Sequence, residues 1–333
     1  MNSTAKTCFL HIGAPKTGTT AVQRLLYENR VHLKSRGLLY PEVSLRGYGH
    51  HDLALLTAGS YPDWADPIPE GLDELVVRLE EQVSEHDGNI IISSENFYLF
   101  PEPEKVSSYL SSALTNHRIT VIVYIRSQVE AHESWYNQTI KAQGYAHNID
   151  KCIDDFKNLW DYDKNLSHWA KVFGRENLLV YQYGEPKHGE FEAGFLNHLG
   201  LTMEGITLSN ESINQRLSRD ILEFQRYVNE LPIDTIKKRT FHKDLIELSQ
   251  SKEGKAMFED SPLLSDQQKR KIVDYYDDSN HRVSEEYFNH EPLFNEQAFD
   301  IDTRLPSTLQ ENQALSPEKL VKIFAWLMIK HCS

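Results

Sequence analysis

Cysteine is scarce in this chain: Cys8, Cys152 and Cys332 are odd in number and far apart among 333 residues. That spacing argues for free thiols in a reducing compartment over a disulfide framework, each thiol a small core or surface residue. A long apolar run is missing as well. Residues 1–6 are polar, and the run 8–12 is too short for a signal-peptide core or a membrane span, so the expectation is a soluble, cytoplasmic protein with no integral membrane segment. Positive charge is in deficit, 35 Lys and Arg against 49 Asp and Glu for a formal charge of −14. Such a surface opposes a nonspecific grip on nucleic acid or an anionic membrane, and any anion site must be a local concentration of cations. Internal repeats and low-complexity tracts are absent too, and quaternary state leaves no mark in the sequence.

What is present is a core. At 40% apolar and 11% aromatic content, the chain can bury one large domain or a domain with an appendage. Short β-rich apolar runs at 8–13, 37–40, 89–94, 119–125 and 177–183 alternate with helical periodicity at 19–29, 72–83 and 190–198. Alternation of this kind predicts an α/β fold, a parallel sheet flanked by helices. The run Val121-Ile122-Val123-Tyr124-Ile125 is continuously apolar, as in a strand buried on both faces. Beyond Gly205 polar helices take over, at 217–228, 267–288 and 317–331, with a Pro-, Asn- and acid-rich crossing segment at 289–316. The expected organisation is a single domain, an α/β core over 1–205 with a mainly helical portion, 206–333, packed on it.

Between the first strand and the first helix lies Gly13-Ala14-Pro15-Lys16-Thr17-Gly18-Thr19-Thr20. A glycine-bearing turn in that position presents backbone N–H groups and a positive helix end to an anion. Gly13 and Gly18 keep the glycine spacing of the general phosphate loop, but Thr19 stands where an ATPase loop has lysine, and the lysine has moved into the turn as Lys16. Two glycines alone would only shape a tight turn, and Lys16 alone would be a solvated cation. The whole run, placed directly between an apolar strand and an amphipathic helix, is far more specific.

Here the sequence resembles the sulfotransferases that use 3′-phosphoadenosine 5′-phosphosulfate (PAPS), especially the bacterial and carbohydrate-type members, which share a phosphate-loop type of α/β fold and whose donor loop reads P-K-T-G-T-T. Pro15, Lys16, Thr17, Gly18, Thr19 and Thr20 match it without a gap. The resemblance implies that this loop binds the 5′-phosphosulfate and that Lys16 assists the leaving group. A second family motif pairs an arginine at a strand end with a serine eight positions later on the following helix, together holding the 3′-phosphate. Arg126 and Ser134 match in type and spacing; a guanidinium fork suits a phosphate, and Ser134 stands about two helical turns along. The run LLVYQYGE, residues 178–185, looks like the family strand whose tyrosine lies near the adenine, which carries that role to Tyr183, an aromatic whose alternative is core packing. The likeness covers roughly residues 8–200 and weakens through 214–218 and 280–287. It departs from the cytosolic members in lacking a late Arg-Lys-Gly, for which Lys237-Lys238-Arg239 and Lys269-Arg270-Lys271 are basic candidates when they are not simply solvated helix faces.

Sulfuryl transfer, like phosphoryl transfer, asks the protein to align two reactants, stabilise charge on the leaving oxygen and accept a proton. A metal is not expected, since neither a Walker B carboxylate pattern nor a compact His/Cys ligand set occurs. The candidate bases are Glu95, ending the strand at 89–94, and His51, in Gly49-His50-His51-Asp52; Glu95 is preferred because a carboxylate at a central strand end should lie nearer the donor loop than a residue on a long connection. The other reading of Glu95 is a helix-capping or loop-ordering carboxylate, and His11 reads as a hydrogen-bonded strand residue. The resemblance implies a small-molecule or carbohydrate acceptor, and Trp135, Tyr136, Trp160, Tyr162 and Trp169 are sugar-stacking or core aromatics. Two other readings stay open: a module that binds PAPS or its product 3′-phosphoadenosine 5′-phosphate (PAP) without catalysis, and a kinase-like phosphotransferase, against which the missing loop lysine counts.

Overall fold

The computed structural model describes residues 6–63, 65–184, 189–209, 216–294 and 315–332. Residues 1–5 of the polar start, Glu185, Asn214 and residues 295–314 of the crossing segment lie outside them.

Five strands form one parallel sheet, β1 (Lys6–His11), β2 (Leu38–Leu39), β3 (Asn89–Ser93), β4 (His117–Ile125) and β5 (Leu178–Gln182), in the order β2-β3-β1-β4-β5. The α/β expectation holds, with strand ends shifted by one or two residues. The apolar runs become central strands because both faces are covered: Phe9, Ile91, Ile122 and Tyr124 point to one face, while Cys8, Leu10, Ile90, Ile92, Val121 and Val123 alternate to the other and are equally buried. Against the first face pack Val22, Leu25 and Leu26 of the helix Thr19–Glu28, Leu33, and Phe195, Leu196 and Leu199 at the end of the helix Glu190–His198. Each such buried aliphatic side chain contributes about 1.5–3 kcal/mol. Burial leaves Cys8 an inert thiol, its pKa pushed up to about 12.

The chain divides into two compact units: Met1–Arg126 with Asp161–Ile213 and Ser279–Phe294, and Ser127–Trp160 with Asn214–Asp278 and Asn295–Ser333. The first holds the sheet. The second is helical, with asparagines tying its helices: Asn137 both donates to the Leu217 carbonyl (2.8 Å) and accepts from its N–H (3.3 Å), and the Asn229 amide donates to the carbonyls of Ile140 and Tyr145. Trp135, Tyr136 and Trp160 of this unit, and Tyr162 and Trp169 of the first, are all buried. The sugar-stacking alternative for these five aromatics is thereby corrected, because a ring face already packed in the core has no surface to offer a substrate.

Parallel strands leave polar groups at their carboxyl ends, and here those groups stitch the connections to the sheet. The Ser94 N–H donates to the His11 carbonyl (3.0 Å), Ile12 to Ile122 (3.0 Å), Tyr183 to Ile125 (2.6 Å) and His50 to Ser93 (2.8 Å). The His50 ring completes the last tie: its Nδ1 accepts from the Ser93 N–H (3.1 Å), so its Nε2–H donates to the Pro41 carbonyl (2.9 Å). A neutral ring satisfies both partners, and burial drives the pKa of His50 from 6.5 to about 4 against those two hydrogen bonds.

An imidazole that is neutral when folded and protonates when unfolded makes stability fall with acid. Below about pH 6.5 the unfolded chain binds the proton and the folded one does not, a loss of up to about 1.4 kcal/mol per pH unit that ends near the folded value. Urea midpoints should therefore fall between pH 6.5 and pH 4, and the slope should be shallower in a His50→Gln variant; equal slopes would remove His50 from the acid sensitivity.

Candidate functional site

At the carboxyl end of β1 the chain turns through Gly13, with φ of 42°, and Lys16, with φ of 65°, to Gly18, with φ of 75°, where the helix Thr19–Glu28 begins. No side chain caps that helix, so its first-turn N–H groups and the positive end of its dipole face outward from the turn. Lys16 is the notable member, since an L-residue with a side chain costs about 1–2 kcal/mol in the left-handed region. Two contacts impose it: the Arg126 Nη1 donates to the Lys16 carbonyl at 2.8 Å, and the Thr17 hydroxyl donates to the Ala14 carbonyl at 2.6 Å. Thr17 thus spends its hydroxyl proton inside the loop, and its backbone N–H is what it has for an anion. Pro15 and Thr19 are buried, whereas Thr20 is exposed.

Arg126 follows β4, and its own backbone is gripped by the Tyr162 hydroxyl, which donates to the Arg126 carbonyl (2.8 Å) and accepts from its N–H (3.3 Å). Its guanidinium carbon sits 5.5 Å from the ring centre of Tyr183, a cation–π contact. Tyr183, just past β5, meets Phe191 edge to face at 5.1 Å. Both rings press on Gly18: a Cβ there would lie 2.5 Å from Phe191 and 2.9 Å from Tyr183. Gly18 is therefore required for its positive φ and for this close approach. The structure brings Lys16, Gly18, Arg126 and Tyr183 together at the ends of β1, β4 and β5, beside the edge where open α/β sheets bind ligands.

The end of β3 supplies the fourth side. Glu95 accepts a 2.7 Å hydrogen bond on Oε2 from the Gln23 amide, and the same oxygen lies 3.9 Å from the His51 Nδ1. His51 Nδ1 is 2.8 Å from the Ser94 hydroxyl. The carboxylate's field reaches the loop after β1, where it raises the pKa of Lys16 against the larger lowering by burial and by the Arg126 charge. His51 was expected to be the more distant of the two candidate bases. His50 ties that segment to β3, and His51, first residue of the helix His51–Ala58, is set directly beside Glu95, the carboxylate whose field reaches Lys16. Behind them His11 is buried, its Nδ1 2.8 Å from the Ser93 hydroxyl and its pKa lowered to about 4 by burial, with Glu95 opposing.

Ser134 lies in the other unit, half-buried on the helix Gln128–Gln143. The basic triplets lie there too; the Lys238 ammonium donates to the Asn229 carbonyl (2.8 Å) and Lys269 pairs with Asp266 at 3.7 Å. Among the described residues no group of three or more His, Cys, Asp and Glu is placed to hold a metal ion, and no helix is long and apolar enough to cross a membrane. Gln23 and Ser94 were missed from sequence. Gln23 carried a signal, a polar residue one turn beyond Thr19 on the flank of a helix face otherwise made of Val22, Leu25 and Leu26.

No family model matches the chain. Over 82 residues, 25% of this chain, it is 30% identical to acyl-CoA-binding domain-containing protein 6 of Oryza sativa subsp. japonica, of which the match spans 12%. The crystal structure of a sulfotransferase from Alicyclobacillus acidocaldarius aligns over 73% of this chain and 95% of that one, with a TM-score of 0.41 and 14% identity. The chemistry of the site rests on its own residues.

Strain at Lys16 has a measurable signature. Elsewhere a Gly is about 0.5–1 kcal/mol less stable than Ala, but at a left-handed position the order inverts. Lys16→Gly should unfold at higher urea than Lys16→Ala, and the opposite order would mean that the loop is unstrained there.

Proposed function

We propose that this chain transfers a sulfuryl group from PAPS to a hydroxyl or amine of an acceptor, a carbohydrate or glycoconjugate. The observation that carries the reading is the loop Pro15-Lys16-Thr17-Gly18-Thr19-Thr20 at the end of the central strand, with Lys16 and Arg126 on one side and the Glu95 carboxylate on another. An acidic protein that concentrates two cations at an open helix end, and shapes that end with a strained backbone, has built for an anion.

In this reading the loop N–H groups and the helix end hold the 5′-phosphosulfate. Lys16 stands at the bridging oxygen, where negative charge develops as the S–O bond to the phosphate breaks. Glu95, with His51 beside it, takes the acceptor's proton as the new S–O or S–N bond forms, and PAP departs. Arg126, whose guanidinium also donates to the Lys16 carbonyl, is assigned to the 3′-phosphate. Tyr183, flanked by Phe191 and Arg126, is assigned to the adenine.

Radiolabelled PAPS offered with a panel of sugars, phenols and lipids in the presence of EDTA tests the whole reading; label should appear in an acceptor, and its absence across the panel together with no PAP binding refutes it. Lys16→Ala should lower turnover at least about tenfold, and Glu95→Gln by about 10² to 10⁴ with PAP affinity nearly unchanged. Should Glu95→Gln keep most of its turnover while His51→Asn loses nearly all, the histidine is the base. Arg126→Ala should weaken PAP much more than an analogue lacking the 3′-phosphate, as read by calorimetry; equal losses would limit Arg126 to bracing the loop.

A further inference from the structure

The donor loop and the carboxylate at the end of β3 belong to different strands, yet in-line transfer needs their separation fixed within a fraction of an ångström. We infer that Gln23 is the positioning residue that sets it, holding Glu95 to the helix that begins at the donor loop; the inference rests on the sulfuryl-transfer reading of the site. Gln23 lies four residues, one turn, beyond Thr19 on the helix Thr19–Glu28 and is 3% exposed. Its Nε2 donates to Glu95 Oε2 at 2.7 Å. That leaves the other oxygen, Oε1, for the acceptor's proton.

The choice of side chain follows from the task. An amide donates to a carboxylate without neutralising it, so Glu95 is held and still keeps its negative charge for a proton; a lysine in its place would form an ion pair and a glutamate would repel. The amide is itself confined. Gly49 is buried, and a Cβ on it would lie 2.9 Å from the Gln23 Cδ and 2.7 Å from the His51 Nε2. Gln23 and His51 therefore pack against the same glycine while both face Glu95 Oε2, which locks the three side chains into one arrangement.

The test is a double-mutant cycle on turnover using Gln23→Met, which keeps the length and removes the donor, and Glu95→Gln. Gln23→Met alone should lower kcat about tenfold with PAP affinity and unfolding midpoint little changed; in the Glu95→Gln background it should cost less than about twofold, because the contact it breaks no longer orients a base. A full, additive loss in both backgrounds, or an unchanged kcat in the single variant, overturns the inference. The Gln23 side-chain amide signal in NMR supplies a readout that needs neither turnover nor a folded Gln23 variant: it should shift in Glu95→Leu, and no shift overturns the contact. If the wild-type chain transfers no label and binds no PAP, the sulfuryl reading fails on its own, and the amide signal still decides whether Gln23 holds Glu95.

Discussion

A hydrogen bond from the Arg126 guanidinium to the Lys16 carbonyl ties the end of β4 to the loop that leaves β1. Lys16 is held in a backbone region that its side chain disfavours, and such a residue persists only where its surroundings over-determine it. The Tyr162 hydroxyl fixes the Arg126 backbone, and Tyr183 lies under the guanidinium. Through that chain of contacts the helix packing of the first unit reaches the loop. Gly18 then admits Tyr183 and Phe191 against the start of the helix, so the loop's shape, the helix's uncapped end and the arginine are one construction.

Electrostatics explains why a carboxylate belongs in it. Burial and the Arg126 charge both press on the Lys16 ammonium and lower its pKa, and Glu95 partly offsets them. Two cations beside a helix N-terminus repel one another and the helix dipole, and a nearby carboxylate relieves some of that cost. Glu95 is in turn held by a neutral amide and has an imidazole neighbour. Positive charge stays concentrated at the loop, although the chain as a whole is strongly acidic.

Buried neutral histidines serve the same geometry from behind. His11 and His50 both have pKa values lowered to about 4 by burial, and both bind Ser93 at the end of β3. Ser93 is paired in register with His11 across β1 and β3. The end of β3, from which Glu95 emerges, is thus clamped on one side by the strand that leads into the glycine loop and on the other by the segment that carries His51.

The sequence by itself determined the sheet, because continuous apolar runs such as residues 121–125 can be satisfied only between two covered faces, and it determined the turn after β1, because Gly13 and Gly18 between a strand and a helix admit the positive φ found there. The helices Thr19–Glu28 and Glu190–His198 were readable from local periodicity for the same reason: their signals are carried by neighbours in the chain. Which groups meet was decided only by the tertiary structure. Gln23 and Glu95 are 72 residues apart, Lys16 and Arg126 are 110 apart, and His51, which looked remote on a long connection, is brought beside Glu95 by a histidine whose role is to satisfy strand-end polar groups. Contacts of that kind depend on strand order and register, which no local pattern encodes.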